Sequence, residues 1–248
     1  KKIQDTTYGT KPILALSIDE GIGEYREKSL EVARRFCEKY KIDHKIESFQ
    51  EHIGKSLDQV IAKMSNSPHY MNACNYCATI RRRLINDIAK ENNATVLALG
   101  HNLTDLSETF LMNILYKRFH LIAGQYVFRD RNDQVQQNFV KKITPLMKIP
   151  EDEILLYVKV KNLEFYESHC PNREKDPIIR KQVLDFIKKL KTQSPEIEFN
   201  LFNGFMELSE ILNKSIENKN QFNSCEVCGY PTTNQKLCNY CSLKRELV

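Results

Sequence analysis

The amino-acid sequence predicts an α/β fold, a doubly wound parallel sheet with a small metal-binding module at the C-terminal end. Three observations carry this. Apolar runs alternate with stretches of helical periodicity through the first 117 residues, as parallel strands joined by crossover helices do. Polar, glycine-bearing segments leave the carboxyl ends of two of those strands, where ligands of such sheets bind. Four cysteines near the end of the chain fall in two tight pairs, a spacing that gathers thiolates around one ion.

Taken in order, "PILALSI" (12–18) is a continuous apolar run with Pro before it and "DEGIG" after it, and reads as a buried parallel strand. "REKSLEVARRFCEKY" is a helix in which Cys37 shares helical spacing with Val32, Ala33 and Phe36, a core thiol. "DHKIESF" (43–49) is a second strand and "SLDQVIAKM" a short helix; Ile80, Leu84, Ile85, Ile88 and Ala89 then form a helical stripe. "ATVLALG" (94–100) is the third strand, and "TDLSETFLMNILYK" (104–117) the next helix, with Thr104 as its expected N-cap.

Beyond residue 118 the pattern loosens. Residues 119–150 read as irregular or strand-like, 150–162 as a helix with Pro in its first turn, and 163–172 as a short strand running into a loop. Helices at about 176–191 and 196–217 lead to the polar linker "NKNQFN". The expected division is a catalytic α/β domain over 1–193, a linking helix over 194–221 and a terminal ribbon over 222–248. The chain begins without Met on "KKIQDTTYGTKP", which reads as the end of a helix, so a further N-terminal piece is expected.

Hydrophobic content of 41% with 28% charged residues is that of a soluble globular protein. No apolar run approaches the ~20 residues that span a bilayer, and no signal peptide opens the chain, so a cytoplasmic protein without a membrane partner is expected. The net charge of +5 permits a polyanionic partner without demanding one. Basic residues cluster at Arg81, Arg82 and Arg83, at Lys117 and Arg118, at Arg129 and Arg131, and at Lys141 and Lys142; such clusters are as often plain solvated faces.

Six of the eight cysteines form three C-x-x-C pairs, which in such a chain argues for metal rather than disulfides. "CEVCGYPTTNQKLCNYC" puts nine residues between the pair Cys225/Cys228 and the pair Cys238/Cys241. Seventeen residues cannot bury enough apolar area to fold alone, so the segment reads as a structural zinc ribbon, with an iron–sulfur site as the competing reading. The remaining pair, Cys74 and Cys77, is open to two readings: a redox dithiol, or a metal site joined by the unpaired Cys170 in "ESHCPN". Three thiolates are one short for closed zinc but suffice for a four-iron cluster with one open iron. Cys170 as a bystander remains an alternative. His101 and Asp105, in "GHNLTD" at the end of the third strand, are candidates by address only; each is equally at home as a hydrogen-bonded histidine or an N-terminal helix acid.

"IDEGIGEYREKSL", "CNYCATIRRRLIN", "ALGHNLTDLSETFLMNIL", "HCPN" and the terminal ribbon occur in the order found in tRNA 2-thiouridine synthetases. Over nearly its whole length the chain resembles that group (cytoplasmic tRNA 2-thiolation protein 1, archaeal NcsA and TtuA) within the PP-loop superfamily, to which the TtcA-type synthetases also belong. The resemblance implies a Rossmann-like, PP-loop adenine nucleotide hydrolase-like fold. The implied activity uses ATP with Mg2+ to adenylate a uridine C2 carbonyl of tRNA and replaces the oxygen with sulfur. It further implies a [4Fe-4S] cluster on Cys74, Cys77 and Cys170, Asp105 as the catalytic acid of the Gly-His-Asn motif, and a sulfur donor that is a ubiquitin-like thiocarboxylate protein or sulfide. Asp19, Glu20, Gly21, Ile22, Gly100, His101 and Asn102 would line the ATP pocket; Arg81, Arg82, Arg83, Lys117 and Arg118 would face tRNA phosphates. A homodimer is implied as well.

The sequence departs from the group in three ways. Its Ser-Gly-Gly-x-Asp-Ser phosphate loop and N-terminal zinc finger are absent from these residues, and "YGTKP" is no Walker A loop because Pro12 follows Lys11. Thr104 stands where the group has a first acid. The competing functions are a non-enzymatic zinc-ribbon RNA-binding module and a related tRNA 2-thiocytidine synthetase.

Overall fold

The computed structural model describes Thr6 and residues 12–125, 138–172, 179–215 and 223–247; Arg129, Arg131 and most of the linker lie outside these. The chain forms two compact units, one of residues 1–88, 162–176 and 239–248, the other of 89–161 and 177–238.

In the first unit β1 (Leu14–Asp19) and β2 (Asp43–Ser48) pair in parallel, from Leu14↔Asp43 to Asp19↔Ser48. A parallel pair needs a crossover, supplied by α1 (Gly23–Lys39). Two short helices follow, α2 (Phe49–Ile53) and α3 (Leu57–Met64), each started by a capping box, Ser48 with Glu51 and Ser56 with Gln59. The unit's long helix is α4 (Ala73–Glu91). The core gathers Ile18, Phe49, Leu57, Val60, Tyr76, Ile80 and Ile88 and continues into Leu243 and Leu247 near the chain's end. Only Ile18 of β1 is fully buried, so the apolar run is less enclosed than its composition predicts.

In the second unit β3 (Val96–Ala98) pairs in parallel with β4 (Lys141–Ile143). Its helices among the described residues are α5 (Leu103–Leu115), α6 (Phe119–Ala123), α7 (Glu151–Val160), α8 (Ile179–Lys191) and α9 (Ile197–Ser215). Leu103, Ile122, Phe202 and Phe205 form its core, with Phe110 stacked on Phe205 at 5.2 Å. The α9 helix, expected as a linker element, buries Phe202 and Phe205 here. Residues 163–172 contain no strand among the described residues.

The N-cap of α5 is Asn102, not Thr104: Asn102 Oδ1 accepts from the Asp105 N–H at 2.9 Å, and Asp105 Oδ2 accepts from the Asn102 N–H at 3.1 Å. Thr104 is buried instead. Its hydroxyl donates to Glu198 Oε1 at 2.5 Å and accepts the Glu151 N–H at 3.0 Å, while Lys191 holds the other Glu198 oxygen at 2.6 Å. A second acid at 104 would face buried Glu198 with no room for two charges, so the threonine belongs to this network.

The C-terminal segment has an antiparallel pair, β5 (Asn223–Ser224) with β6 (Pro231–Thr232), and ends in α10 (Asn239–Leu247). Gly229 turns at φ +68°, and its N–H reaches the Cys225 carbonyl at 2.8 Å.

Candidate functional site

No disulfide joins any of the eight cysteines. The donor sulfurs of Cys225, Cys228, Cys238 and Cys241 all lie within 4.8 Å of one another. A Zn–S bond of ~2.3 Å in tetrahedral geometry sets sulfurs about 3.8 Å apart, and Cys228 Sγ lies 3.8 Å from Cys238 Sγ. The Cys238 N–H donates to Cys225 Sγ at 3.3 Å. Burial opposes ionisation of Cys225, but backbone N–H groups of Cys238, Cys228 and Val227 outweigh it and lower the thiol to about 6. Four thiolates so spaced fit one tetrahedral ion.

Cys74 and Cys77 sit in the first two turns of α4, three apart and so on one face. Cys170 arrives from the irregular stretch 163–170 and, with Cys77 and Tyr25, packs against the first unit's core. Burial pushes the Cys77 thiol up to about 11; Arg81 opposes the rise, and Glu20, Cys74 and Cys170 add to it. Cys170 is therefore within electrostatic reach of Cys77. It also helps raise the Tyr25 phenol, after burial as the main cause. The segment is tied to α1 twice: Arg35 grips Glu164 as a fork, with Nε on Oε2 at 3.0 Å, and Tyr25 meets Tyr166 at 6.2 Å. Among the described residues, only the C-terminal cysteines gather within 4.8 Å. Three soft sulfur ligands that do not gather this closely suit a multi-iron cluster, whose ligands sit on different irons, better than a single ion.

The loop after β1 is largely turned inward. Glu20 is 3% exposed, and its carboxylate pairs with Arg26 at 2.7 Å and Arg81 at 3.3 Å. Gly21 has φ +67°, and a Cβ there would stand 2.6 Å from Ser56 Cβ, so only glycine fits. Ile22 is in the core, while Asp19 caps the turn by accepting the Gly21 N–H at 2.9 Å.

In the second unit, Gly100 and His101 are exposed at the end of the β3 segment, just before Asn102. Asp105 meets Arg180 Nη2 at 3.7 Å, and Arg180 Nε lies 2.6 Å from buried Glu108. No local sequence pattern pointed to Arg180, which is far along the chain.

The basic candidates divide. Arg81 is committed to Glu20, and Arg83 pairs with Asp87 at 2.5 Å and lies over the Tyr240 ring at 5.4 Å. Arg82, Lys117 and Arg118 are exposed, Arg118 lying 4.6 Å over the Tyr116 ring.

Parallel strand pairs, polar loops at strand ends and a C-terminal group of four cysteines spaced for one ion mark the class of α/β protein to which the chain belongs. The chain belongs to the PP-loop domain family, whose profile matches residues 2–187. It is 32% identical over 253 residues to the tRNA 2-thiolation protein NcsA of Haloferax volcanii, covering 97% of this chain and 76% of that protein. It is 29% identical over 231 residues to a probable sulfurtransferase of Methanocaldococcus jannaschii, covering 93% of this chain but 64% of the relative's length. Among solved structures, it is similar to the U34-tRNA thiolase NcsA from Methanococcus maripaludis with its [4Fe-4S] cluster, at a TM-score of 0.74 and 28% identity over 99% of this chain and 74% of that one.

Proposed function

We propose that this protein acts in ATP-dependent 2-thiolation of tRNA. The observation that supports the reading is that Cys170, from a distant segment, packs against the same core as Cys77 and lies within its electrostatic reach. Cys74, Cys77 and Cys170 would hold a [4Fe-4S] cluster, which supplies an iron with a vacant position for sulfur.

The chemistry follows from the leaving group. A uridine C2 oxygen leaves poorly; once it has attacked the α-phosphate of ATP and pyrophosphate has departed, sulfur can add at C2 and AMP leaves. The Gly100–Asp105 loop is what we assign to the nucleotide and its Mg2+, with Asp105 held by its capping bond and by Arg180. Glu20, by contrast, serves the cysteine side of the first unit through Arg81. Arg82, Lys117 and Arg118 are assigned to tRNA phosphates, and the C-terminal cysteines to structural zinc. No described helix is long and apolar enough to cross a membrane; the reading is of a cytoplasmic protein acting as a homodimer, supplied with sulfur by a thiocarboxylate protein or by sulfide.

The test uses the protein from the native gene, purified anaerobically, with thiouridine in tRNA measured by mass spectrometry. The expected result is a brown protein whose Cys170→Ala variant loses thiolation and most iron yet still binds tRNA. A colourless protein that binds tRNA without modifying it would replace this reading with the RNA-binding module.

A further inference from the structure

Asn172 follows Cys170 by two residues, so its Cα lies within about 7 Å of the cysteine's. It is 8% exposed, and its Nδ2 is the one buried side-chain nitrogen or oxygen among the described residues without a hydrogen-bond partner. Leaving a buried donor unmade costs ~1–3 kcal/mol, and native proteins keep few such groups without a reason. An acceptor that is not protein supplies one. Beside Cys170, the acceptor class that the donor set implies is sulfur.

We propose that Asn172 donates its side-chain amide N–H to the sulfur of the iron–sulfur group held by Cys74, Cys77 and Cys170. This rests on the assignment of those three cysteines and adds to it a residue that tunes the bound group without ligating it. Hydrogen bonds to sulfur draw electron density away from the irons and favour the reduced, more negative state, so they raise the reduction potential. In the metal-free protein the same amide is only a liability.

That opposition gives the test. Asn172→Leu keeps the approximate shape and removes the donor; Asn172→Asp keeps the size and is the second variant if leucine does not fold. The full-length protein is measured with and without reconstituted iron. Metal-free Asn172→Leu should melt at or above the wild-type temperature. With iron, both variants should show a lower midpoint potential and release iron to a chelator several-fold faster. A metal-free Asn172→Leu protein that melts lower would show the amide to be satisfied within the protein, and an unchanged potential would show it does not touch the group; either overturns the proposal. Cys170→Ala separates the levels. If it keeps full iron, the three-cysteine assignment fails; if it loses iron while Asn172→Leu leaves the potential unchanged, only the role of Asn172 fails.

Discussion

The two cysteine groups use one residue type in opposite ways. Cys225, Cys228, Cys238 and Cys241 come from a single stretch, lie within 4.8 Å of one another, and use backbone N–H groups of their own turns to lower a thiol to about 6. Cys74, Cys77 and Cys170 come from a helix and a distant irregular segment. Cys77 and Cys170 pack against a hydrophobic core, and burial pushes Cys77 up to about 11, while Cys74 is exposed. A local group can be built by its turns and its ion. The three cysteines proposed to act together would need the rest of their unit already folded, and the segment that carries Cys170 is held by contacts such as Arg35 with Glu164 and Tyr25 with Tyr166.

The largest expected effect is at the local group. Cys225→Ser removes one of four ligands from a site where a bound zinc would contribute ~10 kcal/mol or more of folding free energy. Elemental analysis should show one zinc lost, hydrogen exchange should show residues 223–238 unprotected, and iron should stay bound. Zinc retained in full would break the four-cysteine assignment.

The reciprocal experiment comes next. Cys170→Ala should lose most iron and keep the zinc, whereas Cys37→Ala, which alters a buried thiol of α1, should keep both. Loss of zinc from the Cys170 variant would mean the two groups are not independent.

A third experiment probes the helix that carries Cys241. Leu243 and Leu247 of α10 lie in the first unit's core, and Lys63 Nζ donates to the Leu247 carbonyl at 2.7 Å. Leu243→Ala should cost ~2–5 kcal/mol of first-unit stability, read by denaturant unfolding, with zinc unchanged in the native state. If zinc leaves at a lower denaturant concentration than the core unfolds, ribbon and helix are separate cooperative units.

The smallest effect is at the clamp. Arg35 and Glu164 are both open to solvent, and water screens such pairs so that they add little to stability. Glu164→Gln should barely move the melting temperature yet speed iron release, because it loosens the segment that presents Cys170. An unchanged release rate would leave Tyr25 and core packing as the sole positioning contacts.

Legibility in the sequence followed contact range. The strand at 14–19 and the helices near 23–39 and 103–115 were readable because periodicity reports burial over adjacent turns. The ribbon was readable because all its ligands lie within 17 residues. The N-cap of α5 was misassigned to Thr104 by the usual preference for hydroxyls; Asn102 two residues earlier holds that place, and Thr104 answers to Glu198, which is remote in sequence. Glu20 looked like a loop carboxylate open to a ligand, and its two arginine partners become visible only on folding. The arginine triplet read as one basic face, yet Arg81 and Arg83 turn to acids within their own unit.

By itself, the sequence determined the α/β class, the alternation of strands and helices, the four-cysteine ribbon and the odd cysteine at 170, since each rests on local spacing. The tertiary structure decided the neighbours: Cys170 and Cys77 against one core, Glu20 between Arg26 and Arg81, Thr104 against Glu198, and the last helix in the first unit's core. Partners far apart along the chain share no spacing that a sequence can display. What brings them together is the burial of apolar surface, which is non-directional, and the charged and polar groups carried along must then find one another to offset their desolvation.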